Sequence, residues 1–156
     1  MNRHPTNPLA LSSILACLIL LNGLFAMSEV ALLTARKSRL VTLAAHGDGL
    51  AAAAAKLAGE PTRFLSTIQI GITSIGLLSG IVGEATLAAP LSLWLQAQGL
   101  LEPKASGLVA TGLVVITVTY FSIILGELVP KRLGQHNAEG IARLAAWPMR
   151  ALALAA

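Results

Sequence analysis

The stretch ASGLVATGLVVITVTYFSIILGELVPK, residues 105–131, decides the fold. Its first part, residues 105–126, is an uncharged run of about 22 residues, long enough for a helix to cross the hydrocarbon core of a bilayer. Pro130 has no backbone N–H, so it cannot bond the carbonyl of Gly126, four residues earlier. The next residue, Glu127, carries a carboxylate. A freed backbone oxygen beside a carboxylate, at the edge of an apolar helix, predicts a cation site in a membrane protein.

The composition of the chain also points to a membrane. Of its 156 residues, 55% are hydrophobic and 12% are charged, whereas soluble domains carry about 25% charged residues. The chain is basic, but its two Trp, one Tyr and three Phe form no basic-aromatic patch on which nucleic-acid bases would stack. We therefore predict a lipid bilayer as the partner and no nucleic acid. Cys17 lies in an apolar run and is predicted to be a buried hydrophobic residue.

Three uncharged stretches approach or reach the length of a membrane span: residues 9–27, 64–83 and 105–126. A fourth stretch, residues 85–101, is shorter and contains Pro90. It is predicted to be a tilted continuation of the second span, a re-entrant piece or an interfacial helix. The connection at residues 35–63 is rich in Ala, Leu and Lys and is predicted to be helical, with a break at Gly47-Asp48-Gly49. The predicted class is an all-α membrane protein.

The distribution of basic residues predicts the orientation. Arg3 and Lys104 are expected outside, whereas the other basic residues are expected in the cytoplasm: Arg36, Lys37, Arg39, Lys56, Arg63, Lys131, Arg132, Arg143 and Arg150. Residues 36–63 and 131–156 share a side only if the chain between them crosses twice. We therefore predict three crossings, with the N-terminus outside and the C-terminus in the cytoplasm. A cleaved signal peptide ending near Ala26 is the alternative.

Polar and small residues line one helical face of the second span: Ser66, Gln69, Thr73, Gly76, Gly80 and Gly83. Gly76, Gly80 and Gly83 are interpreted as helix-packing positions, because glycine lets two helices approach closely. Gln69 and Thr73 can instead turn oxygens toward a cavity. The second span therefore predicts either a packed seam or a hydrated path.

The other two spans show similar polar faces. The third carries Gly112, Thr119, Ser122, Gly126 and Pro130, and the first carries Asn22, Gly23, Ser28 and Glu29. Ionisable groups inside a membrane are costly and are by default functional. Glu127 is thus the preferred functional carboxylate, ahead of Glu84 and Glu29. The candidate pore-lining residues are Gln69, Thr73, Ser122 and Glu84.

Three segments together resemble the transmembrane domain of the CorC/CNNM family, whose bacterial members are often described as hemolysin-like. They are NGLFAMSEVALLTARKSRL, FLSTIQIGITSIGLLSGIVGEATLAAPL and FSIILGELVPKRLGQHNAEGIARLAAWPMR. The resemblance implies spans at about 9–34, 64–83 with a continuation to 101, and 105–129, followed by a juxtamembrane belt helix at about 136–156. It also implies a homodimer in the bacterial inner membrane. The family continues into a pair of CBS modules and a C-terminal domain, so we expect this chain to be the membrane domain of a longer protein.

The resemblance also implies a transported ion. Some family members export Mg²⁺ and hold it with oxygen ligands, which by motif correspond to Ser28, Gly126 and Glu127. Mg²⁺ is here the cargo, and no nucleotide site is expected in the chain. Magnesium-handling members tend to carry an asparagine where this chain has Ile72, which cannot ligate a cation. The chain is closer to the hemolysin-like branch, some of whose members are linked to polyamine export.

Three interpretations follow. The first, which is preferred from the sequence, is the membrane domain of an exporter of Mg²⁺ or another divalent cation such as Co²⁺. The second is an exporter of a polyamine such as putrescine or cadaverine, for which Glu127 and Glu84 are the candidate carboxylates. The third is a scaffold that transports nothing, in which the glycines only pack helices. A wet cavity reaching Glu127 favours transport, and a dry seam favours a scaffold. No catalytic site is predicted, because no nucleophile–base pair can be assembled from His4, His46 and His136.

Overall fold

The structure is a computed structural model that describes residues 7–155, so Arg3, His4 and the predicted domain ends lie outside the described residues. Within residues 7–155 the chain forms helices and no strand. Three helical stretches are long and apolar enough to span a membrane: Pro8–Thr34, Pro61–Ala97 and Pro103–His136. The chain is therefore an all-α, multi-pass membrane protein, which confirms the predicted class.

The first span, α1, extends over Pro8–Thr34. It begins at a capped end, where Asn7 Oδ1 accepts the N–H of Leu9 at 3.1 Å. Pro8 suits the first turn, because the N–H that proline lacks has no helical partner there. Two short helices follow, α2 over Lys37–Ala45 and α3 over Gly49–Gly59.

A glycine turn separates α2 from α3. Gly47 has a φ of 92°, a conformation that favours glycine. Its N–H donates to the Ala44 carbonyl at 3.0 Å, and the N–H of Asp48 donates to the Leu43 carbonyl at 3.2 Å. These two bonds close the end of α2 in a Schellman motif. The break therefore lies where the sequence predicts it.

The second span, α4, is one helix of 37 residues over Pro61–Ala97. At a rise of about 1.5 Å per residue it is about 55 Å long, well beyond the hydrocarbon thickness of about 30 Å. Pro90 lies inside the helix without ending it. Of the predicted alternatives for the second half, the continuation of the span is the one found. A second Schellman motif, with Gly99 at φ 66°, turns the chain back.

The third span begins with α5, Pro103–Ile123, and continues through a π-helical turn, Ile124–Leu128, into α6, Val129–His136. The final helix, α7, covers Ala138–Ala155, close to the bounds predicted for the belt helix. It packs beside α3 and the second half of α1. Pro148 lies inside α7.

Two apolar clusters hold the helices together. The larger joins α1, α2, α3, α4 and α7 around Leu40 and Ile68, and the smaller joins α4 and α5 around Val114 and Val118. Large apolar side chains elsewhere face outward, among them Leu20 at 69% and Ile116 at 69% exposure. This surface suits lipid rather than water. Cys17 lies on it and is exposed, so the prediction of a buried thiol is wrong.

Candidate functional site

The third span changes helix type where the sequence places its proline. Residues Ile124–Leu128 form the π turn, whose end is marked by the Val129 N–H donating to the Ile124 carbonyl, five residues earlier. Such single π turns occur inside α-helices, often at functional sites. Pro130 follows the turn and is buried in the first turn of α6. The predicted interruption is therefore a change of hydrogen-bond register rather than a simple kink.

The carbonyl that Pro130 leaves unbonded faces the first span. Asn22 Nδ2 of α1 donates to the Gly126 carbonyl oxygen at 3.2 Å. Asn22 is only 5% exposed, and Gly126 is buried. The Gly126 face of the π turn thus lies against α1. Asn22 was recognised in the sequence only as part of a polar face. A buried amide needs a hydrogen-bond partner, and this requirement could have indicated that Asn22 contacts another helix.

Glycines bring α1 and the end of the third span into close contact. A Cβ atom built on Gly23 would lie 2.9 Å from Pro130 Cγ, and one built on Gly134 would lie 2.6 Å from the Met27 carbonyl oxygen. Contacts this short leave no room for a side chain. They fix the position of the π turn relative to α1.

Glu127 borders an open groove of about 570 Å³ between α4 and the third span. We call it the Glu127 groove. Its polar lining residues are Gln69, Thr73, Thr119 and Glu127, and the remaining lining residues are Ile72, Gly76, Leu77, Gly80 and Ile81. The structure therefore brings together Gln69, Thr73 and Glu127, which were predicted from the sequence. Thr119 joins them; the sequence placed it on a polar face without assigning it to a cavity.

Ser28 lies elsewhere. Its hydroxyl donates to the Leu24 carbonyl at 2.6 Å. The residue borders a separate, largely apolar groove of about 710 Å³ between α1 and α7. Ser28 is therefore not among the residues that line the Glu127 groove.

Glu84, the other carboxylate predicted to line a pore, is exposed on α4 and does not line the Glu127 groove. Gly76 and Gly80 do line this groove, and a Cβ atom built on either meets no atom of the described residues within 4 Å. The predicted helix contact at these two glycines is thus not made within residues 7–155. Gly83 does make one, because its added Cβ would lie 2.9 Å from Val118 Cγ2.

Two buried oxygens near the π turn have no hydrogen-bond partner among the described residues: Asn22 Oδ1 and Ser122 Oγ. Ser122 precedes Gly126 by four residues, so both lie on one face of the helix. Within residues 7–155 no three His, Cys, Asp or Glu side chains are grouped to hold a metal ion. A metal here would therefore depend on carbonyl, amide and hydroxyl oxygens together with Glu127.

Two ion pairs tie the surrounding helices together. Lys131 Nζ lies 3.6 Å from Glu29 Oε2 and connects α6 to α1. Arg143 of α7 pairs with Asp48, which caps α3 by accepting the N–H of Ala51 at 3.0 Å. This backbone bond lowers the pKa of the Asp48 carboxyl, partial desolvation opposes the shift, and the charge of Arg143 lowers the pKa further.

The lowered pKa of Asp48 makes the attachment of α7 sensitive to acid. A carboxyl whose pKa is lower in the folded state stabilises the protein above its ordinary pKa of 3.8, and this contribution disappears as pH falls through the folded-state value. Asp48→Asn keeps a capping oxygen and removes the charge. We expect the wild type to melt at a higher temperature than Asp48→Asn at pH 7, and the difference to shrink as the pH falls below 3.8 and to vanish once it is below the folded-state pKa. A difference that persists unchanged in acid would contradict this assignment.

Comparison with known proteins places the chain in a family. Residues 13–155 match the family described as the cyclin M transmembrane N-terminal domain. The UPF0053 protein sll0260 of Synechocystis is 49% identical over 80% of this chain, which spans 28% of that protein. The UPF0053 protein YhdP of Bacillus subtilis is 32% identical over 87% of the chain and 30% of its own length. The polyamine export protein of Escherichia coli K12 is 33% identical over 88% of the chain and 30% of its own length.

The chain thus spans less than a third of the length of these curated relatives. The matched region nevertheless includes the π turn and α7 completely. It also includes the three candidate spans, apart from the first residues of α1. The resemblance noted from the sequence is therefore confirmed, and the chain belongs to the cyclin M transmembrane domain family.

Proposed function

We propose that this chain is the membrane domain of an exporter of organic polycations, with a linear diamine such as putrescine as the substrate. The observation that carries the proposal is the Glu127 groove, in which a single carboxylate stands among neutral oxygens and apolar walls. Glu127 would bind one ammonium group of the substrate. The open groove that reaches this carboxylate favours transport over a scaffold.

The mixed lining of the groove supports a diamine. An ammonium group needs oxygen acceptors, which the side chains of Gln69, Thr73 and Thr119 can supply beside the carboxylate. The methylene chain between two ammonium groups needs apolar contact, which Ile72 and Ile81 can supply. The similarity to proteins named polyamine export protein, in Escherichia coli and Salmonella typhimurium, supports the same substrate class.

Mg²⁺ is the second candidate substrate. It is favoured by the oxygens near the π turn, namely the Gly126 carbonyl, and Asn22 Oδ1 and Ser122 Oγ, which have no partner among the described residues. Mg²⁺ prefers six oxygen ligands at about 2.0–2.1 Å. In this alternative Glu127 and Gly126 would be ligands, as the resemblance implies, and Ser28 would join only if α1 moved.

The whole transporter is proposed to be a homodimer in the bacterial inner membrane. In this arrangement the N-terminus lies outside, and the basic connection of α2 and α3 and the belt helix α7 lie in the cytoplasm. A pair of CBS modules would follow α7 on the cytoplasmic side.

Transport into inverted membrane vesicles tests the proposal. Vesicles that contain the full-length protein should accumulate labelled putrescine, and an excess of unlabelled cadaverine should compete with it. Mg²⁺ uptake is measured in the same vesicles with an entrapped fluorescent indicator. Accumulation of Mg²⁺ without putrescine would replace the first candidate with the second. Accumulation of neither cation under any imposed ion gradient would leave the scaffold as the explanation.

Ile72 offers a way to shift selectivity between the two cations. It is 8% exposed and borders the Glu127 groove. Ile72→Asn would place an amide oxygen where magnesium-handling relatives carry one. We expect Mg²⁺ to bind about tenfold more tightly and putrescine to bind several-fold more weakly, since one added ligand contributes about 1–2 kcal/mol. Calorimetry with both cations measures this, and Ile72→Leu is the matched control. Unchanged selectivity in Ile72→Asn would contradict the assigned position of Ile72.

A further inference from the structure

A basic pocket lies where α3, the start of α4 and the end of α7 meet. It has a volume of about 220 Å³ and is lined by one basic residue from each of the three helices, Lys56, Arg63 and Arg150. We call it the Arg150 pocket. Glu60 is the only carboxylate among the described residues that line it, so three positive charges and one negative charge give a formal charge of +2. The proposed transport uses none of these residues.

The charges of the pocket favour an anion. Lys56 and Arg150 are exposed, and neither forms an ion pair with another described residue. The N-terminus of α4 adds positive partial charge, because Glu60 precedes this helix without capping it through a side-chain hydrogen bond. Positive charges that line one cavity repel each other, and an anion between them reverses the sign of that interaction. The ligand expected from the electrostatics is therefore negatively charged.

The rest of the lining is apolar. Phe64 and Leu57 are buried in the pocket wall, whereas Leu154 is 70% exposed at its side. A water molecule occupies about 30 Å³ of liquid, so the pocket has room for a group of several heavy atoms. Apolar surface contributes to binding only when the ligand has methylene groups to bury against it. The lining therefore favours an amphiphilic anion over a small inorganic one.

The position of the pocket along the spans favours a lipid. Arg63 is the last charged residue before the uncharged run of residues 64–83. Trp147, one helical turn before Arg150 on α7, is 71% exposed. Tryptophan is enriched at the level of the lipid headgroups. Both observations indicate that the pocket lies at the headgroup level of one leaflet. In the proposed orientation this is the cytoplasmic leaflet, whose surface is negative.

We propose that the Arg150 pocket binds the phosphate of an anionic phospholipid such as phosphatidylglycerol, and that this lipid attaches α7 to α3 and to the start of α4. Lys56 and Arg150 hold the phosphate from two helices through charge-assisted hydrogen bonds, and Arg63 contributes a third positive charge. Phe64 and Leu57 contact the first methylene groups of the lipid. A soluble phosphate compound shares the headgroup chemistry but leaves this apolar wall uncovered. The site does not depend on which cation the transporter exports.

Native mass spectrometry of the full-length protein tests the site, because it counts the lipids that stay bound to each chain. The protein is kept in a neutral detergent, so that the surface charge of a bilayer does not attract the lipid. Dioleoylphosphatidylglycerol should bind about tenfold more tightly than dioleoylphosphatidylcholine, which has the same acyl chains and a zwitterionic headgroup. Equal binding of the two lipids would overturn the proposal. Displacement of the anionic lipid by an equal concentration of glycerol 3-phosphate would identify a soluble ligand, and would overturn the lipid assignment.

Substitutions of the basic residues locate the bound lipid. Lys56→Gln and Arg150→Gln should each weaken binding of dioleoylphosphatidylglycerol about tenfold, since each removes a charge-assisted hydrogen bond. Arg39→Gln is the matched control, because Arg39 is exposed on α2 and does not line the pocket. It should leave the affinity unchanged. A loss in Arg39→Gln as large as that in the pocket variants would mean that the lipid responds only to the overall charge of the protein, and would overturn the site.

Glu60→Gln gives a result of the opposite sign. It removes the negative charge beside the phosphate, so we expect dioleoylphosphatidylglycerol to bind about fivefold more tightly. Glu102→Gln is the matched control, because Glu102 precedes α5 as Glu60 precedes α4 and neither side chain caps its helix. Damage to the fold does not tighten binding, so Glu60→Gln still decides if the variants of Lys56 or Arg150 fail to fold. An unchanged affinity in Glu60→Gln would contradict a phosphate in this pocket.

Discussion

Glu127→Gln is expected to weaken putrescine binding about 10- to 100-fold and to abolish measurable export. The substitution keeps the size of the side chain and its hydrogen-bonding oxygen but removes the negative charge. A hydrogen bond to a charged group contributes about 1.5–3 kcal/mol, which corresponds to this range of affinity. Glu127 is the only carboxylate among the described residues that line its groove. No neighbouring acidic side chain in the groove can therefore replace it.

Glu84→Gln is the matched control for this substitution. Glu84 is a carboxylate on α4, but it is exposed outside the Glu127 groove. Both residues were candidates from the sequence, and the structure places only Glu127 on the groove. Binding is measured by calorimetry on purified protein and export by vesicle uptake of labelled putrescine. If Glu84→Gln impaired export as strongly as Glu127→Gln, the groove would not be the substrate site.

Gly134→Ala is expected to be the most destabilising of the conservative glycine substitutions in the chain. The added methyl group would lie 2.6 Å from the Met27 carbonyl oxygen, which is backbone and cannot rotate away. Overpacking of this kind costs about 1–3 kcal/mol or more. For a chain of this size, that corresponds to a melting temperature lower by about 3–10 °C. The separation of α1 from α6 should also weaken the contact between Asn22 and Gly126.

Gly112→Ala controls for the intrinsic effect of replacing glycine in a helix. It also lies in the third span, but a Cβ atom built there meets no atom of residues 7–155 within 4 Å. Alanine favours helix by up to about 1 kcal/mol relative to glycine, so this variant should melt at or above the wild-type temperature. Opposite signs for the two variants, measured by thermal unfolding in the same detergent, are the expected result. A stable Gly134→Ala would show that α1 and α6 are not held at the described distance.

The spans and the turns were predictable because their causes are local. Apolar run length locates the three spans, and the Gly47 break follows from a backbone conformation that only glycine adopts easily. The continuous α4 was only one of three alternatives, since whether a helix passes Pro90 depends on its surroundings. The π turn was not predicted. Its lost backbone bond is replaced by Asn22, 104 residues away in the sequence, and helical periodicity contains no such long-range information.

The candidate site was only partly predictable for a similar reason. Helical spacing placed Gln69 and Thr73 on one face, and in the structure both line the groove that Glu127 borders. Spacing within one helix does not determine which faces of two helices meet. For that reason Ser28, which lies on α1, was grouped with Glu127 only through the family resemblance, and Gly76 and Gly80 were interpreted as packing positions. The residues that make the close helix contacts are instead Gly23 and Gly134.

The π turn also changes the direction in which the later side chains of the third span point. It accommodates one residue more than an α-helical turn, and each residue of an α-helix advances the direction of the side chains by about 100°. Everything after Leu128 is therefore rotated by about that angle relative to an uninterrupted helix. Lys131 faces Glu29, and Gly134 faces Met27, because of this rotation. Shortening the turn by a single residue would direct both away from α1 while leaving the composition of the span almost unchanged.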